Sequence, residues 1–233
     1  MKWSPSALNL FKSCPRCTWL EKNKNVKRPR GIMASLPMGM DRTVKKTIDA
    51  MRAEGKMFDI LSQHEDLENV QFFSNQVALN KMRNWRSGLV YEGPEGTLSG
   101  ALDDLLMRLN GESDTGAQYI PFDVKTKGSA TTQADSEKYY TTQLDCYRLM
   151  LEANDMPCAD FGILMYFTPE KMLLNPGEFL FNIQVIKVDT DPNRAKALVK
   201  SANECIKKKD APEPFGDCEF CMYLSLRRAN DVL

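Results

Sequence analysis

The residues best suited to chemistry are Asp123 and Lys125, inside Ile120-Pro121-Phe122-Asp123-Val124-Lys125-Thr126. Side chains alternate along an extended chain, so Ile120, Phe122 and Val124 share one face and Asp123 and Lys125 the other. One face packs while the other presents an acid beside a base. Upstream, Ser99-Gly100-Ala101-Leu102-Asp103-Asp104-Leu105-Leu106 sets two acids in an apolar run. A carboxylate in a buried strand is costly unless it is paired or bound to a cation. An isolated Asp-x-Lys on a strand is most often a surface ion pair. Here it follows an acid-bearing strand across a turn, so the acids can converge, and Gly100 leaves room for another backbone or a ligand. Gln143 and Tyr147, four residues apart, fall on one face of a following helix. Alone, that pair is ordinary helix surface and core edge.

A second constellation is made of sulfur. Four of the seven cysteines form two pairs at CxxC spacing, Cys14-Pro15-Arg16-Cys17 and Cys218-Glu219-Phe220-Cys221. A reducing compartment makes disulfides a weak reading, and two such pairs favour a metal site. Four thiolates suit a tetrahedral zinc or a 4Fe–4S cluster, and local spacing does not separate them. Sharing one centre, they would staple the terminal segments 1–30 and 210–233. Cys146, Cys158 and Cys205 are scattered and read as small buried hydrophobes.

The elements that must hold these groups alternate. Ser4-Pro5-Ser6 before Ala7, Leu8, Leu10 and Phe11 reads as a capped helix start. A loop rich in Lys, Arg, Pro and Gly then runs to about Gly39, followed by a helix over Met40–Ala53 and further helical pieces between Met57 and Arg86. Thr97–Leu109 and Gln118–Lys127 read as strands around the turn-rich segment 110–116. A helix over Asp135–Asn154 precedes a second strand pair, Phe161–Thr168 and Glu178–Val188, about Asn175-Pro176-Gly177. A helix over Pro192–Lys208 leads to the second CxxC. This order describes an α/β fold, a mixed central sheet flanked by helices with a helical part closed by the four cysteines, in a single domain over residues 1–233.

Composition excludes some partners. With 31 basic and 31 acidic residues the formal net charge is zero, so nucleic acid would be held by a local patch rather than by bulk attraction. Lys22, Lys24, Lys27, Arg28 and Arg30 form such a patch, which otherwise reads as a solvated loop. No apolar run reaches the ~20 residues of a membrane span. The start, Met1-Lys2-Trp3-Ser4-Pro5, lacks a signal peptide's apolar stretch, so a cytoplasmic location is expected. The one histidine, His64, sits among Gln63, Glu65 and Asp66 and is expected to be exposed.

In order, Gly100-x-x-Asp103, Asp123-Val124-Lys125 with Thr126-Lys127-Gly128, and Gln143-x-x-x-Tyr147 resemble the RecB-type branch of the PD-(D/E)XK nucleases, which have a restriction-endonuclease-like core. Ser4-Pro5-Ser6-Ala7-Leu8 with Cys14-Pro15 is similar to that branch's N-terminal segment. With the terminal cysteines, the chain resembles its iron–sulfur members, the CRISPR-associated adaptation exonucleases and the AddB-like helicase-nucleases. The resemblance implies a DNA nuclease, exonucleolytic on single strands. Asp103 and Asp123 would hold Mg²⁺ or Mn²⁺, with the Val124 carbonyl as a further ligand. Lys125 would position water and stabilise charge growing on the phosphate. Gln143 and Tyr147 would orient the substrate backbone or Lys125. Family spacing from Gly100 selects Asp103 over Asp104, which the strand pattern does not.

The same resemblance implies a 4Fe–4S centre at Cys14, Cys17, Cys218 and Cys221. The usual arrangement is one early and three late cysteines; the two-and-two arrangement here keeps zinc open. Relatives carry a metal-binding His before the first strand; the corresponding stretch, Pro37 to Arg42, has none. Asp41 would replace it as an oxygen ligand, or cap a helix. A rival reading is a non-catalytic nucleic-acid-binding module on the same fold. A helicase or integrase partner is left open.

Overall fold

The computed structural model describes residues 1–29, 31, 35–86, 88–109, 116–170, 175 and 177–229. The turn expected at 110–116 lies outside this set except for Gly116, and so does Pro176 of the turn at 175–177.

A five-stranded mixed sheet organises the chain. It runs β2 (Val70–Phe72), β5 (Asp104–Arg108), β6 (Gln118–Thr126), β7 (Phe161–Pro169) and β8 (Phe181–Asp189). Neighbours are antiparallel except β6 and β7, which are parallel. The β6–β7 crossover is α6 (Gln133–Glu152), as a parallel connection requires. Thr132 caps α6 by accepting from the Asp135 amide.

Both faces of this sheet are covered. Ile120, Phe122 and Val124 pack with Ile48 of α3 (Ser35–Ala53) and Leu61 of α4 (Asp59–Ser62). The other face meets α6 through Leu164, Tyr166, Leu144 and Met150. The expected alternation in β6 is therefore present. The face bearing Asp123 and Lys125, however, looks onto α6 rather than into open solvent.

A smaller sheet orders β1 (Lys2–Trp3), β4 (Gly96–Gly100) and β3 (Leu89–Gly93). This corrects the single strand expected over Thr97–Leu109. The chain leaves β4 at Gly100, crosses between sheets through residues 101–103, and enters β5 at Asp104. A Cβ on Gly100 would stand 3.1 Å from Met150 Cε and 3.2 Å from Pro5 Cδ, so the missing side chain admits α6 and α1.

The N-terminal helix starts as expected. Ser4 Oγ accepts from the Ala7 amide at 3.2 Å, and Pro5 opens α1 (Pro5–Ser13). Cys14 is extended and links α1 to α2 (Pro15–Lys24). The expected loop is thus helical as far as Lys24. The next helix also begins earlier than expected, at Ser35. Asp41 is consequently inside α3 and is not an N-cap. The remaining helices are α5 (Gln76–Arg83), α7 (Pro192–Ile206) and α8 (Glu219–Ala229). Among the described residues no helix is long and apolar enough to cross a membrane.

Candidate metal and nucleic-acid site

Strand register decides which upstream acid joins Asp123. β5 and β6 pair antiparallel with Asp104 opposite Phe122, and that pair is the last. Extending the register by one step sets Asp103 opposite Asp123, on the same face. Asp104 shares the face of Phe122 instead, where cations consume both of its oxygens. Arg52 Nη2 stands 2.5 Å from one oxygen and Arg83 Nη2 2.6 Å from the other. Asp49 joins the cluster by pairing with Arg52 and, at 2.9 Å, with Arg83. Arg83 Nε also donates to the Asp103 carbonyl at 2.9 Å, which fixes the backbone that carries Asp103.

Asp123 is fully buried. Gln143 Nε2 donates to its Oδ1 at 2.9 Å and reaches the Tyr147 hydroxyl at 2.7 Å, so the helical pair on α6 meets the strand carboxylate. Lys125 Nζ stands 2.5 Å from Asp123 Oδ2 and 4.7 Å from the ring centroid of Tyr140. Lys45 of α3 approaches from the other side, 2.8 Å from Asp103 and 3.1 Å from Asp41. The structure therefore brings together Asp103, Asp123, Lys125, Gln143 and Tyr147, with Asp41 one residue removed through Lys45. Val124 lies past the last β5–β6 pair, where β6 has no β5 neighbour.

Two carboxyls in contact cannot both ionise cheaply. Burial first, and then the neighbouring Asp103 charge, push Asp123 up to about 8 against the pull of Lys125. Burial also opposes ionisation of Asp103, but the contact with Asp123 and the charge of Lys45 outweigh it and hold Asp103 below its ordinary value. The pair thus holds a proton between its members near neutrality. Burial would depress both lysines. The charge of Asp103 on Lys45, and of Asp123 on Lys125, overrides it and keeps both ammonium groups protonated. Burial and the two aspartates keep the Tyr147 phenol neutral.

This donor set fits a hard divalent cation. Asp123 Oδ2 is buried and accepts no hydrogen bond of regular geometry, although Lys125 is beside it. Such an under-satisfied oxygen, facing a second carboxylate, is what an oxygen-seeking cation completes.

The sulfur constellation is equally definite. Cys14, Cys17, Cys218 and Cys221 are buried, and their Sγ atoms all lie within 4.8 Å of one another. Cys17 stands 3.5 Å from Cys221 and 3.6 Å from Cys218, and Cys14 is 3.8 Å from Cys221. The chain's two ends, α1–α2 and α8, meet at this cluster, which could hold a metal. Burial raises the Cys17 and Cys221 thiols, so the four would not ionise together without a cation among them.

The basic patch is only partly as expected. Lys22 and Lys24 lie on α2, over the rings of Trp3 and Trp19, and Lys27 is exposed. Arg28 turns inward, Nε donating to Cys17 Sγ and Nη2 to Cys218 Sγ, each at 3.1 Å. It serves the sulfur cluster rather than lying free for a phosphate. Arg30 lies outside the described residues. His64 is partly covered, not exposed, and its Nδ1 accepts from the Asp66 amide at 3.3 Å within its own turn.

A model of the PD-(D/E)XK nuclease superfamily matches residues 2–226. The chain belongs to that superfamily. No curated protein matches. A solved structure described as "Crystal structure of SSO0001" is 15% identical, with 97% of this chain and 85% of that chain covered and a TM-score of 0.45. That likeness is too low to carry an argument.

The superfamily points to nuclease chemistry supported by divalent metal, and so to a nucleic-acid substrate. Four residues of this PD-(D/E)XK chain escape a linear reading: Lys45, Arg52, Arg83 and Tyr140. Two had a signal. Lys45 is four residues after Asp41, and Tyr140 falls on the α6 face of Gln143 and Tyr147. Arg52 and Arg83 show nothing local that points to Asp104.

Proposed function

We propose that this chain is a Mg²⁺- or Mn²⁺-dependent deoxyribonuclease, a single nuclease domain over residues 1–233, acting exonucleolytically on single strands in the cytoplasm. The observation that carries the reading is the fully buried Asp123, set against Asp103 with one oxygen under-satisfied and Lys125 beside it. Asp103 and Asp123 would hold the cation, with the Val124 carbonyl and Asp41 as further oxygen donors. A cation bound there supplies Lewis acidity to the scissile phosphate and an activated water.

Lys125, held protonated, does not serve as a base. Its ammonium stabilises the negative charge that grows on the phosphate in the transition state. Tyr140 and Asp123 keep that ammonium aimed, and Gln143 with Tyr147 fixes the Asp123 carboxylate. Lys45 neutralises Asp103 and Asp41 together, so a cation held there would compete with its ammonium for both carboxylates. Lys22, Lys24 and Lys27, on and just after α2, would follow a phosphate backbone electrostatically.

The order of motifs supports placement in the RecB-type branch, near the CRISPR-associated adaptation exonucleases and the AddB-like nucleases. For the cysteine centre those relatives favour 4Fe–4S, whereas the sulfur spacing favours zinc. A tetrahedron with metal–sulfur bonds of ~2.3 Å has edges of ~3.8 Å. Three of the six Sγ–Sγ separations are 3.5 to 3.8 Å and all are within 4.8 Å, close to the edges of a tetrahedron about one ion. A four-iron cluster sets each thiolate on its own corner iron and spreads the sulfurs wider.

The test is cleavage of end-labelled single- and double-stranded DNA and RNA with Mg²⁺, Mn²⁺ or chelator, on protein purified anaerobically and analysed for iron, sulfide and zinc. Mononucleotide release from one end of single-stranded DNA, only with the divalent ion, is expected. Tight binding with no product on any substrate would replace this reading by the non-catalytic module, for which the Lys45 ammonium seated on Asp103 is the supporting observation.

A further inference from the structure

A groove of about 700 Å³ has Gln143 and Tyr147 in its lining. Because Gln143 also donates to Asp123, the groove and the candidate metal site share a residue. Lys2, Ser4, Trp85 and Arg86 line the same groove, with the first turn of α1. Trp85 is 77% exposed, in a chain whose other two tryptophans, Trp3 and Trp19, are 1% and 5% exposed. Lining the groove with its ring so exposed, Trp85 offers a flat apolar face on which a planar ligand can stack.

The polar groups around Trp85 narrow the ligand's chemistry. Arg86 lies over the indole, 5.0 Å from its centroid, and both Arg86 and Lys2 are exposed cations. The first turn of α1, which contains no acid, also contributes Pro5 and Ser6 to the lining. A flat apolar surface flanked by cations fits a strand of alternating bases and phosphates. Inside a duplex each base already has neighbours on both faces, so away from the duplex ends an aromatic platform can take only an unstacked base.

Resting on the nuclease reading above, we propose that this groove seats the single strand leading to the scissile phosphate. A base stacks on Trp85, while Lys2 and Arg86 meet the adjoining phosphates. Trp85 is a positioning residue in this scheme. It touches the strand away from the reacting atoms and sets where the strand enters.

Tryptophan fluorescence tests this directly, because of the three indoles only Trp85 is accessible to a base. Oligothymidylate, oligouridylate and a blunt DNA duplex are titrated into the full chain with Ca²⁺ replacing Mg²⁺ to hold off cleavage. Quenching by a single strand and not by the duplex is expected, and the relative affinities of the two single strands show whether DNA or RNA is preferred. Trp85→Phe should bind with near wild-type affinity but without quenching. Trp85→Ala should bind on the order of tenfold more weakly, the scale of one lost base–aromatic stack. Unchanged affinity in Trp85→Ala, or equal quenching by duplex, would overturn the groove assignment. The same protein is assayed for cleavage in Mn²⁺, which keeps the two claims apart. Strand-specific quenching without cleavage upholds the groove and removes the nuclease reading; cleavage that ignores Trp85 does the reverse. Loss of both signals overturns both.

Discussion

Asp103 and Asp104 are neighbours in sequence, yet the structure gives them opposite work, and replacing each by alanine should separate stability from activity. Asp104 is 1% exposed and is bound by Arg52, whose side chain is 2% exposed, and by Arg83. Asp104→Ala leaves two guanidinium groups facing a cavity with only Asp49 to balance them. Breaking one side of a buried pair costs ~3–5 kcal/mol. Asp49 remains beside both arginines, so the lower end, about 3 kcal/mol, is expected. For a chain of this size each kcal/mol moves Tm by roughly 2–4 °C, which gives a fall of about 6–12 °C. Asp103→Ala removes a carboxylate whose side chain is 28% exposed, leaves Lys45 paired with Asp41 and relieves the like charge beside Asp123, so its melting shift should be within a few degrees. Cleavage should show the opposite ranking. Asp103→Ala loses it, while Asp104→Ala retains it per folded molecule below its melting point. Thermal denaturation by circular dichroism and Mn²⁺-dependent cleavage at low temperature read the two quantities. If Asp104→Ala melts with wild type, or is folded and inert while Asp103→Ala still cuts, the register argument is wrong.

Other consequences follow from the same geometry. Asp123 is held near 8 against an unfolded value of ~3.9, so between those limits the metal-free native state binds the extra proton. Stability contributed by this group is therefore lost as pH rises through that window, and a cation must displace the proton. Mn²⁺ affinity should climb from pH 6 to 8 with release of about one proton per ion, measured by calorimetry in buffers of different ionisation enthalpy. In Asp123→Asn the slope should vanish, and a wild-type affinity independent of pH would refute the shared proton. Gln143→Ala, which frees the Asp123 carboxylate without altering charge, should reduce kcat by ~10- to 100-fold through mispositioning, with KM little changed. Cys218→Ser should release the metal of the cysteine centre and unclip the chain ends. Closing a loop of some 200 residues contributes at most ~5 kcal/mol, so a loss of a few kcal/mol in urea denaturation is expected. A variant as stable as wild type would show that the cluster carries no staple.

Much of the site was legible in the sequence because strand alternation is a local rule. Asp123 and Lys125 had to share a face, and Gln143 and Tyr147 had to share another; the structure joins them through a single amide. What stayed hidden depends on long-range pairing. Nothing in Thr97–Leu109 marks a change of sheet, since its two halves are separated by their pairing with different strands, β1 and β3 for one and β2 and β6 for the other. Arg28 reads as part of a solvated basic run until Cys17 and Cys218 come together next to it. Asp41 gave a misleading cue, because it stands at the start of the helix expected over Met40–Ala53, where an acid can cap, whereas α3 had already begun at Ser35 and the residue pairs with Lys45 instead.

The central claim is that Asp123, paired with Asp103 and attended by Lys125, makes this PD-(D/E)XK chain a metal-dependent nuclease. The most direct measurement is single-turnover cleavage of labelled single-stranded DNA over a range of Mn²⁺ concentrations, by wild type, Asp123→Ala and Lys125→Ala, with folding checked in each. Saturable Mn²⁺-dependent cleavage by wild type, abolished in both folded variants, is the predicted result. Undiminished cleavage by both variants, or cleavage by wild type that persists in chelator, would contradict it.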